Sequence, residues 1–157
     1  MQTFDIRPGQ VAFGRVGDEF RTLLGSCVSV ILTDPRRTVG VMNHIVHVGR
    51  PNLAQRHNTS YGDAAMSEMN RLLQSKGFIA TSCQAYVVGG GNMFANIVTG
   101  TSVGTRNAHW VMAYLAHHNI PVLKVDVGGT GYRKLVWTVG AGDPEVEASD
   151  ATEGFSR

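Results

Sequence analysis

The 157-residue sequence holds only two cysteines, Cys27 and Cys83. Two cysteines make no disulfide framework and suit a reducing compartment. A single Cys27–Cys83 bridge stays open as an alternative, disfavoured in a chain without an export signal. Charge is also sparse: charged residues make up 17% and the net charge is +2. No window gathers the Lys and Arg that a phosphate backbone would need, so no nucleic-acid partner is expected. Arg36-Arg37 is an isolated pair that suits a solvated turn. No apolar run reaches the roughly 18 residues of a membrane-spanning helix, so no membrane insertion is expected. The first ten residues carry Asp5 and Arg7 and lack an apolar h-region, which predicts a cytoplasmic protein without a signal peptide.

What is present is an ordinary apolar fraction, 43%, enough for a packed core in a chain of single-domain length. The expected domain spans residues 1–148, followed by a small, polar, frayed tail at 149–157. Glycine is the one residue in excess, clustered at Gly89-Gly90-Gly91 and around Gly128-Gly129 and Gly131. Such clusters mark tight turns, or backbone that lines a site.

The β-branched run Val28 to Leu32 predicts a strand, and Val39 to Val48 a second one. Between them, Asp34-Pro35-Arg36-Arg37 has Asp and Pro where a β-turn favours them, so the pair reads as a hairpin. Asp63 is positioned to cap a helix with Met66, Met69 and Leu73 on one face, closed by Gly77. A short strand covers Ala85 to Val88. A second helix runs from about Thr105 to His118, with Pro121 as its stop. Strands follow at Val122 to Val127 and Lys134 to Val139, and another is expected near Gln10 to Phe13. This order is not a clean βαβ array and predicts an α+β fold with helices covering sheet faces.

The hairpin carries the chemistry. With Asp34 to Arg37 as a symmetric turn, Leu32 faces Val39, Val30 faces Val41, and Cys27 faces His44. Directly opposed Cβ atoms lie about 4.5–5.5 Å apart, within side-chain reach. A free thiol with a pKa of about 8.5 is a poor nucleophile at neutral pH until a base takes its proton. An imidazole can do this and later protonate a departing amine. Gly25-Ser26, just before the cysteine, offers bare backbone N–H groups to a developing oxyanion. The bland reading of Cys27 is a small buried hydrophobe. No metal site is expected, since His44 and His47 would point to opposite faces of a strand. His57, His109, His117 and His118 share no ligand spacing.

Leu24-Gly25-Ser26-Cys27-Val28 followed by Met42-Asn43-His44 resembles the signature of the chemoreceptor glutamine deamidases, the CheD family. Further similar segments follow in order: Tyr61-Gly62-Asp63, Gly89 to Phe94, Val103-Gly104-Thr105-Arg106-Asn107, and Asp126 to Gly129 with Arg133. The resemblance covers roughly residues 8 to 142. It implies a layered α/β/β/α sandwich with mixed sheets. It further implies a cofactor-free Cys-His-Thr amide hydrolase with Cys27 as nucleophile and His44 as base. Gly25, Ser26 and Asn43 would line the site. Some members carry the threonine where this chain has Arg21. Thr22 is then the nearest third member, and it would need a bulge or an irregular chain to face the site. The implied substrates are methyl-accepting chemotaxis receptors, with glutamyl methyl ester cleavage as a side activity. The implied regulatory partner is a CheC-type phosphatase. The alternatives are a non-catalytic docking partner of that phosphatase and a deamidase of another target. The chain departs from the family pattern after the histidine, at Ile45 to Pro51. The glycine-rich and Val103–Asn107 segments read most simply as turn and helix-cap chemistry.

Overall fold

The computed structural model describes residues 1–93 and 101–150. Nine strands and two α-helices follow one another as β1 (Thr3–Asp5), β2 (Val11–Arg15), β3 (Glu19–Leu24), β4 (Val28–Thr33), β5 (Val39–Asn43), α1 (Gly62–Ser75), β6 (Gln84–Gly89), α2 (Val103–His117), β7 (Val122–Val127), β8 (Gly131–Thr138) and β9 (Glu145–Asp150). They form two mixed sheets, ordered β1-β3-β8-β9 and β2-β5-β4-β6-β7. The β1/β3 and β6/β7 pairs are parallel and the others antiparallel.

Two cores hold these layers together. One lies between the five-stranded sheet and the helices, with Val28, Val30, Leu32, Val41, Met69, Leu73, Val111 and Leu115 buried in it. The other lies between the two sheets and contains Phe20, Leu24, Ile31, Met42, Tyr86, Leu135 and Trp137. Strand β4 is buried at every position because it is central and covered on both faces. The fold is the layered α+β sandwich expected. Both described helices cover the five-stranded sheet, so the described layers run α/β/β.

The helix α1 starts two residues earlier than the Asp63 cap predicts. Tyr61 is its N-cap and Asp63 sits inside the first turn, where a carboxylate meets the positive end of the helix dipole. At the other end Phe78 N–H donates to the Leu73 carbonyl and Gly77 N–H to that of Gln74. That is the Schellman closure the glycine predicts, with Gly77 at φ +86°. Strands β1, β3 and β9 were not foreseen. Strand β9 carries the ordered chain through Asp150, past the expected end at residue 148. Residues 151–157 of the expected tail, and Phe94 of the glycine-rich segment, lie outside the described residues.

The hairpin register is shifted. Thr33 pairs with Gly40, Leu32 with Val41 and Ile31 with Met42, where the symmetric turn predicts Leu32 against Val39. The β-turn itself forms, with Arg37 N–H donating to the Asp34 carbonyl. The Asp34 carboxylate then accepts from the N–H groups of Thr38 and Val39 and from the Thr38 hydroxyl. Those bonds draw Thr38 and Val39 toward Asp34, so the β4–β5 ladder starts at Thr33–Gly40 while Val39 pairs with Arg15 of β2. Replacing Asp34 with Ala removes three bonds from a buried carboxylate. Loss of roughly 1–3 kcal/mol is expected, read as a lower urea midpoint with unchanged slope.

Candidate functional site

The shifted register moves the pairing at Cys27. Beyond the Ile31–Met42 pair the last bridge is Val28–Ile45, which sets Ser29 opposite His44 and Cys27 opposite Val46. Cys27 and His44 are therefore diagonal neighbours rather than a directly opposed pair. A shift of two residues keeps side chains on the same face, and diagonal partners stay within reach of long side chains. Both face the space between the sheets. Cys27 packs at the edge of that core, partly exposed, and His44 is buried. Both cysteines are free, which closes the bridge alternative.

One imidazole nitrogen is accounted for. Thr22 Oγ1 lies 2.8 Å from His44 Nδ1 and 2.6 Å from the Ile6 carbonyl oxygen. A hydroxyl has one proton, and a carbonyl can only accept. Thr22 must therefore donate to Ile6 and accept from Nδ1–H, which leaves Nε2 of the neutral ring without a proton. Thr22 reaches His44 with no bulge, because β3 pairs with β8 without interruption from Glu19 to Leu24. The irregularity that the assignment requires lies between the strands, after Leu24. Strands β3 and β4 belong to different sheets, and Gly25-Ser26 is the bend between them.

Burial disfavours the charged form of both groups. Burial pushes the Cys27 thiol above its ordinary value. Burial likewise lowers His44 beneath its usual 6.5, partly opposed by the nearby Ile6 backbone carbonyl. Among the described residues Cys27 Sγ makes no hydrogen bond. Cys83 is buried, and burial first, then the charge of Asp34, pushes it up to about 11.

The loop before Cys27 is held by its carbonyls. Gly25 C=O accepts from Gly91 N–H at 2.9 Å and Cys27 C=O from Gly90 N–H at 2.8 Å. Ser26 C=O accepts from Asn107 Nδ2 at 2.9 Å. The N–H groups of Ser26 and Cys27 have no acceptor among the described residues. Approach this close needs glycine at position 89: at φ +124°, a Cβ there would sit 2.2 Å from the Cys27 carbonyl oxygen. Met93 and Tyr132 flank Gly25 from the other side.

Asn43 is corrected. It follows Met42 and precedes His44 on adjacent strand positions, so its side chain takes the opposite face. It is fully buried against α1, with Oδ1 accepting Val30 N–H and Nδ2 directed at the sulfurs of Met66 and Met69. It knits the ladder and does not line the site. The sequence reading missed the Ile6 carbonyl, Ser29 and Asn107. Ser29 buries its hydroxyl opposite His44 without a hydrogen-bond partner among the described residues. Among those residues no three His, Cys, Asp or Glu side chains converge to hold a metal ion. No described helix is long and apolar enough to cross a membrane.

The chain is similar to known proteins of one family. The family model for CheD chemotactic sensory transduction matches residues 48–148, a span that begins after Cys27 and His44. A protein of Albidiferax ferrireducens named probable chemoreceptor glutamine deamidase CheD 2 is 37% identical over 142 residues, covering 88% of this chain and 82% of the relative. One from Dechloromonas aromatica named probable chemoreceptor glutamine deamidase CheD 3 is 34% identical over 143 residues, covering 88% and 82%. The probable chemoreceptor glutamine deamidase CheD of Pseudomonas fluorescens is 31% identical over 141 residues, covering 88% and 80%. With a matched sequence of this extent on a layered sandwich, the chain belongs to the CheD family.

Proposed function

We propose that this protein deamidates glutamine side chains of chemoreceptors, with Cys27 as nucleophile and His44 as base. The observation that carries the reading is the direction of the hydrogen bonds at His44. Thr22 consumes Nδ1–H, so the basic nitrogen, Nε2, is the one left for the thiol. The names of the relatives support the substrate class.

In the proposed reaction the Cys27 sulfur attacks the side-chain amide carbon and its proton passes to His44 Nε2. Burial disfavours thiolate and imidazolium alike, which favours proton transfer that accompanies attack over a stored ion pair. The carbonyl π electrons move onto oxygen, and the Ser26 and Cys27 N–H groups stabilise that charge, each such donor contributing about 2.7–4 kcal/mol in comparable sites. The imidazolium returns its proton to nitrogen and ammonia leaves, giving a thioester. Water then adds, transferring a proton to Nε2. The C–S bond breaks, sulfur regains the proton, and glutamate remains on the receptor. An ester would suit the same steps, but nothing in the relatives' names points to one.

Incubation with receptor peptides should convert glutamine to glutamate by mass spectrometry, and Cys27→Ala should abolish the conversion. Undiminished conversion by that variant sinks the assignment. Receptor binding with no conversion by the wild-type protein favours a docking role beside a CheC-type phosphatase.

Thr22→Val keeps the shape of the side chain but releases Nδ1. A kcat loss of about tenfold or more is expected, with KM nearly unchanged. Equal losses in the two parameters contradict an orienting role.

His44 must be neutral to act as base. Burial disfavours its charged form, so protonation sets in only below the ordinary value of 6.5. The kcat/KM profile should therefore hold its plateau down to that pH and fall only beneath it, measured with steady-state assays across mildly acidic buffers.

A further inference from the structure

We infer that Asn107, on α2, is a positioning residue that aims the oxyanion-binding N–H of Cys27. The inference rests on the deamidase reading above. Asn107 is almost fully buried, and its amide nitrogen donates twice: 2.9 Å to the Ser26 carbonyl and 3.3 Å to the Val46 carbonyl. Those carbonyls flank the two reacting side chains. Ser26 immediately precedes Cys27, and Val46 lies two residues beyond His44.

The location follows from where the ladder ends. Val28–Ile45 is the last bridge between the two strands. Past it the chains diverge, and no backbone bond holds Ser26 to Val46. The Asn107 amide fills that gap with both of its protons, the number an NH2 group has to give. Helix α2 is brought close enough by a second constraint. A Cβ at Gly104 would stand 2.2 Å from the Gly91 carbonyl oxygen, so the helix start lies directly on the glycine loop. The helix cap is Ser102, whose Oγ accepts Thr105 N–H at 3.1 Å. Asn107 is therefore free of capping duty, contrary to the simplest reading of its segment.

The consequence is set by peptide geometry. Ser26 C=O and Cys27 N–H belong to one planar trans peptide, and no cis bond is present among the described residues. Fixing the carbonyl toward Asn107 fixes the N–H in the opposite direction. The next peptide behaves in the same way: Cys27 C=O is held by Gly90 N–H, and Val28 N–H is accordingly aimed at the Ile45 carbonyl. A hydrogen bond accepted at the carbonyl also polarises the peptide and strengthens its N–H as a donor.

The test separates oxyanion aim from general damage. Asn107→Ala and the similarly sized Asn107→Leu are each compared with wild type in three measurements. Deamidation kcat should fall about tenfold or more with KM little changed, given that outright loss of such a donor costs about a hundredfold to a thousandfold. Alkylation of Cys27 by iodoacetamide should proceed at the wild-type rate, because displacement at saturated carbon builds no oxyanion. A crystal structure of either variant should show the Ser26–Cys27 peptide turned. A kcat within twofold of wild type, a parallel fall in alkylation, or an unmoved peptide overturns the assignment. If the wild-type protein converts no glutamine, the deamidase reading fails by itself. The peptide's orientation in the variants then still decides whether Asn107 aims it.

Discussion

The candidate site depends on one hydrogen-bonded chain, from His44 Nδ1 through Thr22 Oγ1 to the Ile6 carbonyl. Each member comes from a different part of the fold. His44 follows β5 in the five-stranded sheet, Thr22 lies on β3 of the other sheet, and Ile6 follows β1. The chain therefore exists only while the sheets stay packed face to face. Its members are held by the inter-sheet core: Phe20 and Leu24 flank Thr22 on the same face, and Met42 does the same for His44. Close packing of that kind tolerates little movement, so the ring nitrogen available for chemistry is chosen by the core and not by a flexible loop.

The same burial that holds the imidazole also sets its charge. Low polarity around His44 disfavours imidazolium, and low polarity around Cys27 disfavours thiolate. A buried ion pair would need compensation that this edge of the core does not supply among the described residues. A neutral pair costs less to bury, and in the proposed reaction proton transfer and attack share one transition state. Cys83 shows the contrast. It is a core hydrophobe whose thiol is pushed up by burial and the Asp34 charge, which is the usual fate of cysteine in a packed interior.

Two asparagines on opposite duties complete the frame. Asn43 enters the β4–β5 ladder from the helix side and takes the Val30 N–H. Asn107 reaches the open end of the same ladder and joins Ser26 to Val46. Each substitutes an amide side chain for a missing backbone partner, as buried polar groups require. Between these points lie Cys27 and His44, on strands that are no longer free to slide or splay.

Much of this was written locally. The hydrophobic period marked α1, α2, β4 and β7 within a residue or two, Gly77 announced the end of α1, and Asp34-Pro35 announced a turn. Cysteine and histidine flanking one hairpin was legible for the same reason: a strand alternates faces every residue, and a shift of two residues changes the partner while leaving the face intact. Alternation alone also places Asn43 opposite to His44. The sequence was silent where the deciding contact came from far along the chain. Strands β1, β3 and β9 carry charged outward positions, and β3 joins the distant β8, so no local period revealed a second sheet. Without that sheet Thr22 had no visible route to His44, and Asn107, some 80 residues after Ser26, looked like a helix start. Spacing along a chain determines which side chains share a strand or a helix face. Which imidazole nitrogen is free, and which way a peptide N–H points, is decided only when separate sheets and a helix close upon one another.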